Sequence, residues 1–245
     1  MISVIPVQGS ILTNCYLYAD DATRHAFLID PGFEPERIVD AVRKNHIVVE
    51  KILITHGHFD HISAAQAVAK NLGVPICAST RSQKYFESAT YNLSKFFEAG
   101  ALKIPEDAVT YLADGTTVAL TDGALSLRLV PTPGHTEDGT MYVAEEVFAT
   151  VVKNADGTEN SVDRKNADGT EKSVAAKNDA SRVAFVGDTI FRASYGATRF
   201  PGGDEATLLA SIRTQILTLP DDTVLLSGHS EPTTVGEEKG QPWYR

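Results

Sequence analysis

The sequence predicts an α/β fold, a four-layer αββα sandwich, and three observations predict it. Apolar runs of strand length are concentrated in two halves of the chain. Each half is followed by segments with helical spacing, which calls for two packed sheets with helices outside. The residues richest in metal-ligand chemistry stand directly after the apolar runs, where α/β proteins gather their sites.

The elements follow in order. Ile2 to Val7, Asn14 to Ala19 and His25 to Ile29 are expected as three strands of a meander, separated by Gly9-Ser10 and Asp20-Asp21. Glu34 to Lys44 places Ile38, Ala41 and Val42 at helical spacing. Val48 to Thr55 reads as a buried strand, and Ile62 to Leu72 as a small-residue helix with Gly73 near its end and Pro75 beyond. Residues 79–100, mixed polar and aromatic, are expected to be helical. Strands return from Ala108 to Val130, where Asp114-Gly115 and Asp122-Gly123 are hairpin-type dipeptides. Further strands are expected at Thr140 to Val152 and Val183 to Val186. Leu208, Leu209, Ile212, Ile216 and Leu217 define an amphipathic helix, with Asp204 as its N-cap and Pro220 after its end. Thr223 to Ser227 is the last strand.

One segment interrupts this order. Lys153 to Glu159 recurs as Lys165 to Glu171, and nine of twelve positions match between 153–164 and 165–176. The period is too short for a helical solenoid. The repeat is therefore expected to be an inserted hairpin extension at about 153–182, with Asp156-Gly157 and Asp168-Gly169 as turns. Self-association through it is the alternative role. The chain as a whole, residues 1–245, is expected to be one domain.

Composition narrows the function. A net charge of −10 argues against nucleic acid as a partner, because phosphate binding needs a basic surface. Two cysteines are too few for a disulfide framework and suit a reducing compartment. The N-terminus lacks a basic n-region, and no run approaches the roughly 20 apolar residues of a membrane helix. A soluble, cytoplasmic protein with no membrane partner is expected.

The chemistry is carried by His56-Gly57-His58-Phe59-Asp60-His61, which puts three imidazoles and a carboxylate at the end of the Val48 to Thr55 strand. Neutral imidazole and carboxylate suit zinc and other borderline metals. His135, Asp188 and His229 each follow a glycine at a strand end, which lets the backbone turn sharply there. These residues account for five of the seven histidines; His25 and His46 have no metal-type neighbour and are assigned to structure.

The order His-x-His-x-Asp-His, Gly-His, Gly-Asp, Gly-His resembles the metallo-β-lactamase superfamily, and within it the small glyoxalase II-like hydrolases. Thr13 to Leu17, Thr132 to Thr136, Phe185 to Phe191, Pro201 to Asp204, Leu219 to Thr223 and Pro232 to Gly236 continue the likeness, which spans the chain apart from the insertion. The resemblance implies two divalent cations, zinc first, with iron or manganese as alternatives. His56, His58 and His135 would hold the first, Asp60, His61 and His229 the second, and Asp188 would bridge them. It further implies hydrolysis of a small thioester, of the S-2-hydroxyacylglutathione kind, by a metal-bound hydroxide. Asp60 would orient that hydroxide. No Gly-x-Ser-x-Gly elbow competes with this reading.

The chain departs from the pattern in places. Gly196-Ala197-Thr198-Arg199 stands where relatives often carry Gly-Arg-Thr-Asp, which puts Tyr195 and Arg199 forward as substrate contacts and leaves substrate preference open. Gln241-Pro242-Trp243 replaces the usual Asn-Pro-Phe, and the helical domain that grips glutathione in larger glyoxalase II enzymes is not expected here. The alternatives are a persulfide dioxygenase with iron on His56, His135 and Asp188, or another hydrolase of the same fold such as a lactonase. A β-lactamase role is disfavoured, because many such enzymes carry Cys where Asp188 stands.

Overall fold

A computed structural model of the protein describes residues 1–97, 100–146 and 181–244, with the backbone of 148–149, 152–154, 163–165, 171–173 and 180. The chain opens with β1 (Ile2–Gln8), β2 (Leu12–Ala19) and β3 (His25–Ile29), paired antiparallel as the expected meander. Helix α1 (Pro35–Lys44) crosses over to β4 (Val48–Leu53), which lies parallel to β3. Helices α2 (Phe59–Ile62) and α3 (Ala65–Leu72) lead to β5 (Ile76–Ser79), and α4 (Gln83–Glu87) precedes β6 (Val109–Leu112), both strands again parallel.

The second half begins with β7 (Thr117–Ala119), β8 (Ser126–Pro131) and β9 (Thr140–Ala144), an antiparallel run. Short strands follow: β10 (Phe148–Ala149), β11 (Val152–Asn154), β12 (Asp163–Lys165), β13 (Glu171–Ser173) and β14 (Ala180–Ser181). Then come β15 (Val183–Gly187), the small hairpin β16 (Ile190–Phe191) and β17 (Ser194–Tyr195), and helix α5 (Glu205–Ser211). Strands β18 (Val224–Ser227) and β19 (Thr233–Thr234) and helix α6 (Val235–Glu238) complete the order. The first sheet runs β11-β1-β2-β3-β4-β5-β6 and the second β19-β18-β15-β9-β8-β7.

Side-chain alternation explains the four layers. On β2, Tyr16 and Tyr18 point to the second sheet, whereas Cys15 and Leu17 face Ile38 and Val42 of α1 and Val68 of α3. On β15, Phe185 meets Tyr16 at 5.5 Å between ring centroids, while Ala184 and Val186 turn outward to Leu208 and Ile212. Each sheet therefore buries both faces: one against its partner, one against helices. Strands buried this way read as near-continuous apolar runs, which is how β15 reads in the sequence.

Several expectations are corrected. Residues 79–100 are not one helix among the described residues; only Thr80–Ser82, Gln83–Glu87 and Ser94–Phe96 make helical turns. The Asn92 side chain is responsible, since it donates to the carbonyls of Tyr85 and Leu102 and accepts from the Ser94 amide, competing with helix bonding. Asp114-Gly115 does not close a hairpin. It carries the chain from β6 in the first sheet to β7 in the second, whereas Asp122-Gly123 does join the paired β7 and β8. The helix expected from Ile62 is two pieces, with the first turn starting at Phe59. The strand expected from Thr140 to Val152 stops at Ala144 and resumes as β10 and β11.

Within the insertion, β10 pairs antiparallel with β14 and β12 with β13, and β11 runs parallel to β1. The turns expected at Asp156-Gly157 and Asp168-Gly169 lie outside the described residues. No helix of the described residues is long and apolar enough to cross a membrane.

Candidate metal centre

The ligand-type residues converge at one edge of the sandwich, where β4, β15 and β18 end. Beyond β4 the chain bends at Thr55 and is extended at His58 (φ −67°, ψ 146°), and His56 and His58 both reach one group of ligand atoms. The helical turn α2 then brings Asp60 and His61 to the same edge. His135 comes from the loop between β8 and β9, Asp188 follows β15, and His229 follows β18.

Their ligand atoms form three overlapping groups: His56, His58 and His135; His56, His61 and Asp188; and Asp60, His61 and His229. Within each group the atoms lie within 4.8 Å of one another. His135 Nε2 is 2.9 Å from His58 Nδ1. Asp188 Oδ2 is 3.2 Å from His229 Nε2 and 3.6 Å from His135 Nε2, while its Oδ1 is 3.4 Å from His61 Nε2. His229 Nε2 is also 3.1 Å from Asp60 Oδ2.

Four of the five imidazoles are oriented from behind. His135 Nδ1 lies 2.7 Å from the Ala197 carbonyl, His229 Nδ1 lies 2.7 Å from that of Leu12, and His61 Nδ1 lies 2.9 Å from Asp30 Oδ2. The Thr55 hydroxyl donates to Asp30 Oδ2, which leaves its oxygen to accept from His56 Nδ1 at 3.1 Å. A proton held on Nδ1 leaves Nε2 as a lone pair facing the cluster, the tautomer a metal needs.

A cation fits the orphaned atoms. His56 Nε2, His61 Nε2 and Asp188 Oδ1 are buried with no hydrogen-bond partner among the described residues. Buried polar atoms without partners are costly, and divalent metals that accept nitrogen and oxygen donors would satisfy them. Close approach is needed too: a Cβ on Gly228 would overlap Asp188 Oδ1 and His61 Cε1.

Electrostatics separates the groups. Burial, reinforced by neighbouring imidazoles, holds His56 well below the usual histidine range and His58 down at about 3. Burial likewise lowers His135. Burial acts the same way on His61 and His229, but there Asp188 and Asp60 overcome it, raising His61 well above its ordinary value and His229 to about 10. Asp188 is buried too, and His229 and His61 nevertheless keep its carboxyl well below the carboxylate range.

All seven ligands expected from sequence are thus brought together. The two expected substrate contacts are not in the cluster. Tyr195 donates its hydroxyl to Glu205 at 2.7 Å, and Arg199 lies over the Phe200 ring, which meets His58 edge-on at 5.9 Å. His25 pairs with Glu50 instead, at 2.5 Å. Two carboxylates escaped the sequence reading. Asp30 orients His61 and also accepts from the Thr55 amide at 2.8 Å, and Asp138 accepts from the Gly57 amide at 2.9 Å. Asp30 had a signal, since it directly follows β3 in an Asp-Pro-Gly turn, the strand-end position that marked the ligands.

The family model of the metallo-beta-lactamase superfamily matches residues 9–147, more than half of the chain. The chain belongs to the metallo-β-lactamase superfamily. Proteins of this fold bind metal ions, and the three groups are where this member could hold them. It is 31% identical over 239 residues to the hydroxyacylglutathione hydrolase GloC of Haemophilus influenzae, covering 97% of this chain and 94% of that one. The crystal structure of BLEG-1, a B3 metallo-beta-lactamase, superposes with a TM-score of 0.78 at 28% identity, covering 100% of this chain and 99% of that one. TTHA1623, in a di-iron-bound form, superposes at 0.68 with 25% identity over 97% of this chain and 98% of that one.

Proposed function

We propose that the protein is a hydrolase of the glyoxalase II type, dependent on two divalent metal ions and acting on a small thioester. The observation that carries the reading is the place of Asp188, whose carboxylate lies between imidazoles of both groups, Oδ2 near His135 and His229 and Oδ1 near His61. One shared anion between two cation sites offsets the repulsion of the cations. His56, His58 and His135 would hold the first ion and Asp60, His61 and His229 the second. When bound, the pair supplies Lewis-acid activation of water and of the substrate carbonyl.

The chain's own groups do the rest. Asp60, with Oδ2 3.1 Å from His229 Nε2, is the carboxylate that can orient the attacking water and take its proton. No thiol competes as nucleophile, because burial raises Cys15 well above its ordinary value and Cys77 to about 11. Attack of water on a thioester gives a carboxylic acid and a thiol, and a thiolate leaves readily without a strong general acid. This suits a site with no further acid among its ligands, and the likeness to GloC supports the same substrate class. Zinc is the first choice of metal, and TTHA1623 makes a pair of irons the alternative.

The whole-length likeness to BLEG-1 favours a second reading, opening of a β-lactam ring, which also begins with water attacking a carbonyl. The test is a substrate panel on protein loaded in turn with zinc and with iron: S-2-hydroxyacylglutathione and other thioesters, a chromogenic β-lactam, and glutathione persulfide with oxygen uptake followed. Thioester turnover is expected to dominate. Oxygen uptake with one iron per chain, or β-lactam turnover alone, would overturn the proposal.

A further inference from the structure

The loop from β4 to α2 is anchored at every second residue. Thr55, Gly57 and Phe59 donate their backbone amides to Asp30 Oδ1 (2.8 Å), Asp138 Oδ2 (2.9 Å) and the Asn92 carbonyl (2.8 Å), while His56 and His58 between them turn to the metal groups. Asp30 already has a task, since it also orients His61. Asp138 has none among the ligands, yet it is fully buried, with the Thr136 and Ser82 hydroxyls beside its carboxylate. Burial pushes its carboxyl up to about 6, so the fold bears a desolvation cost to keep it there.

The position of Asp138 explains that cost. It stands three residues after His135, and its bond to Gly57 spans 81 residues of sequence. The bond therefore ties the segment bearing His135 to the loop bearing His56 and His58. Tyr85 braces the same junction: its hydroxyl accepts from the Glu137 amide at 2.9 Å, and a Cβ on Gly57 would overlap Tyr85 Cβ. Two chain segments that supply all three imidazoles of the first group are thus locked at one point.

We propose that Asp138 is a positioning residue, which registers the His135 segment against the His56-Gly57-His58 loop and so sets the geometry of the three-imidazole group. It acts through the Gly57 amide and makes no contact with a substrate. The inference rests on the proposed metal centre but not on the proposed substrate.

The test compares Asp138→Asn, which keeps an acceptor for the Gly57 amide, with Asp138→Ala and Asp138→Ser, which withdraw it. Zinc affinity of the full chain is measured by competition with a chromophoric chelator, alongside the thermal midpoint. Asn is expected to bind both ions within about threefold of wild type, whereas Ala and Ser weaken one of the two ions by roughly ten- to a hundredfold. Wild-type affinity in Ala or Ser overturns the proposal whatever the thermal midpoint does, as does an Asn variant as weak as Ala. If Ala and Ser fail to fold while Asn binds normally, the residue serves the fold alone and the proposal is also overturned. Normal zinc binding by wild type without thioester turnover would sink the proposed substrate and leave Asp138 in place.

Discussion

Asp188→Ala removes the carboxylate that faces both imidazole groups. Bound metal is expected to fall from about two ions per chain to one or fewer, and turnover by about a hundredfold or more, some 3 kcal/mol of transition-state stabilisation. Metal analysis with steady-state kinetics checks this. A variant with two ions and full turnover would end the binuclear reading. The same residues predict a pH dependence. In the metal-free protein His56, His58 and His135 are lowered and already neutral at pH 7, whereas His61 is raised and His229 stands at about 10, so both carry protons there. A cation entering the second group must displace those protons, so its affinity rises with pH toward about 10, while the first group loads at lower pH. Zinc titration in weak buffer near pH 7.5 is expected to release about two protons from His61 and His229 with the second ion, and up to about one more from metal-bound water. Release of none would refute the assignment.

At the scale of elements, helix α5 and the β4–α2 loop show what a local pattern can foretell. Asp204 was legible as the α5 cap because a short acceptor before an amphipathic run meets an orphan amide, and its Oδ1 accepts from the Thr207 amide at 2.8 Å. Asp204→Ala is expected to lower stability through loss of the cap and to leave metal content unchanged, which denaturant melts with metal analysis will check. The helix end was less legible. Leu217 bonds back to the Ile212 carbonyl, a wider turn that helical spacing alone does not distinguish. Residues 79–100 resisted reading for a related reason, since the Asn92 side chain takes backbone partners that composition cannot assign.

At the scale of the whole molecule, the insertion stands apart from the ligand-bearing loops. Strands β9 and β15 pair directly, Val143 with Ala184, and β10 and β14 pair again beyond them in a shifted register, Ala149 with Ala180. Joining 149 to 180 with Asn-Gly in place of 150–179 makes a two-residue hairpin, whose closure is entropically less costly than that of the long segment. We expect the shortened protein to keep both metals and turnover within about threefold, with some loss of thermal midpoint because β11 no longer covers β1. Sedimentation of both forms tests the other role. If the shortened protein loses a native oligomer or its substrate while keeping its metals, the segment is a subunit contact or a lid.

The sequence by itself determined the layers and the candidate ligands. Strand period and helical spacing are local properties, and His56, His58, Asp60, His61, His135, Asp188 and His229 announce themselves by residue type at strand ends. Only the tertiary structure decided which strands share a sheet, so that Asp114-Gly115 crosses between sheets while Asp122-Gly123 closes a hairpin. It alone also decided how the imidazoles are aimed. Asp30 reaches His61 across 31 residues and Asp138 reaches Gly57 across 81, and Asp188 is placed between groups drawn from separate loops. A ligand is recognised by its own chemistry, but its orientation depends on a hydrogen-bond partner that is distant in sequence and becomes a neighbour only when the sheets pack.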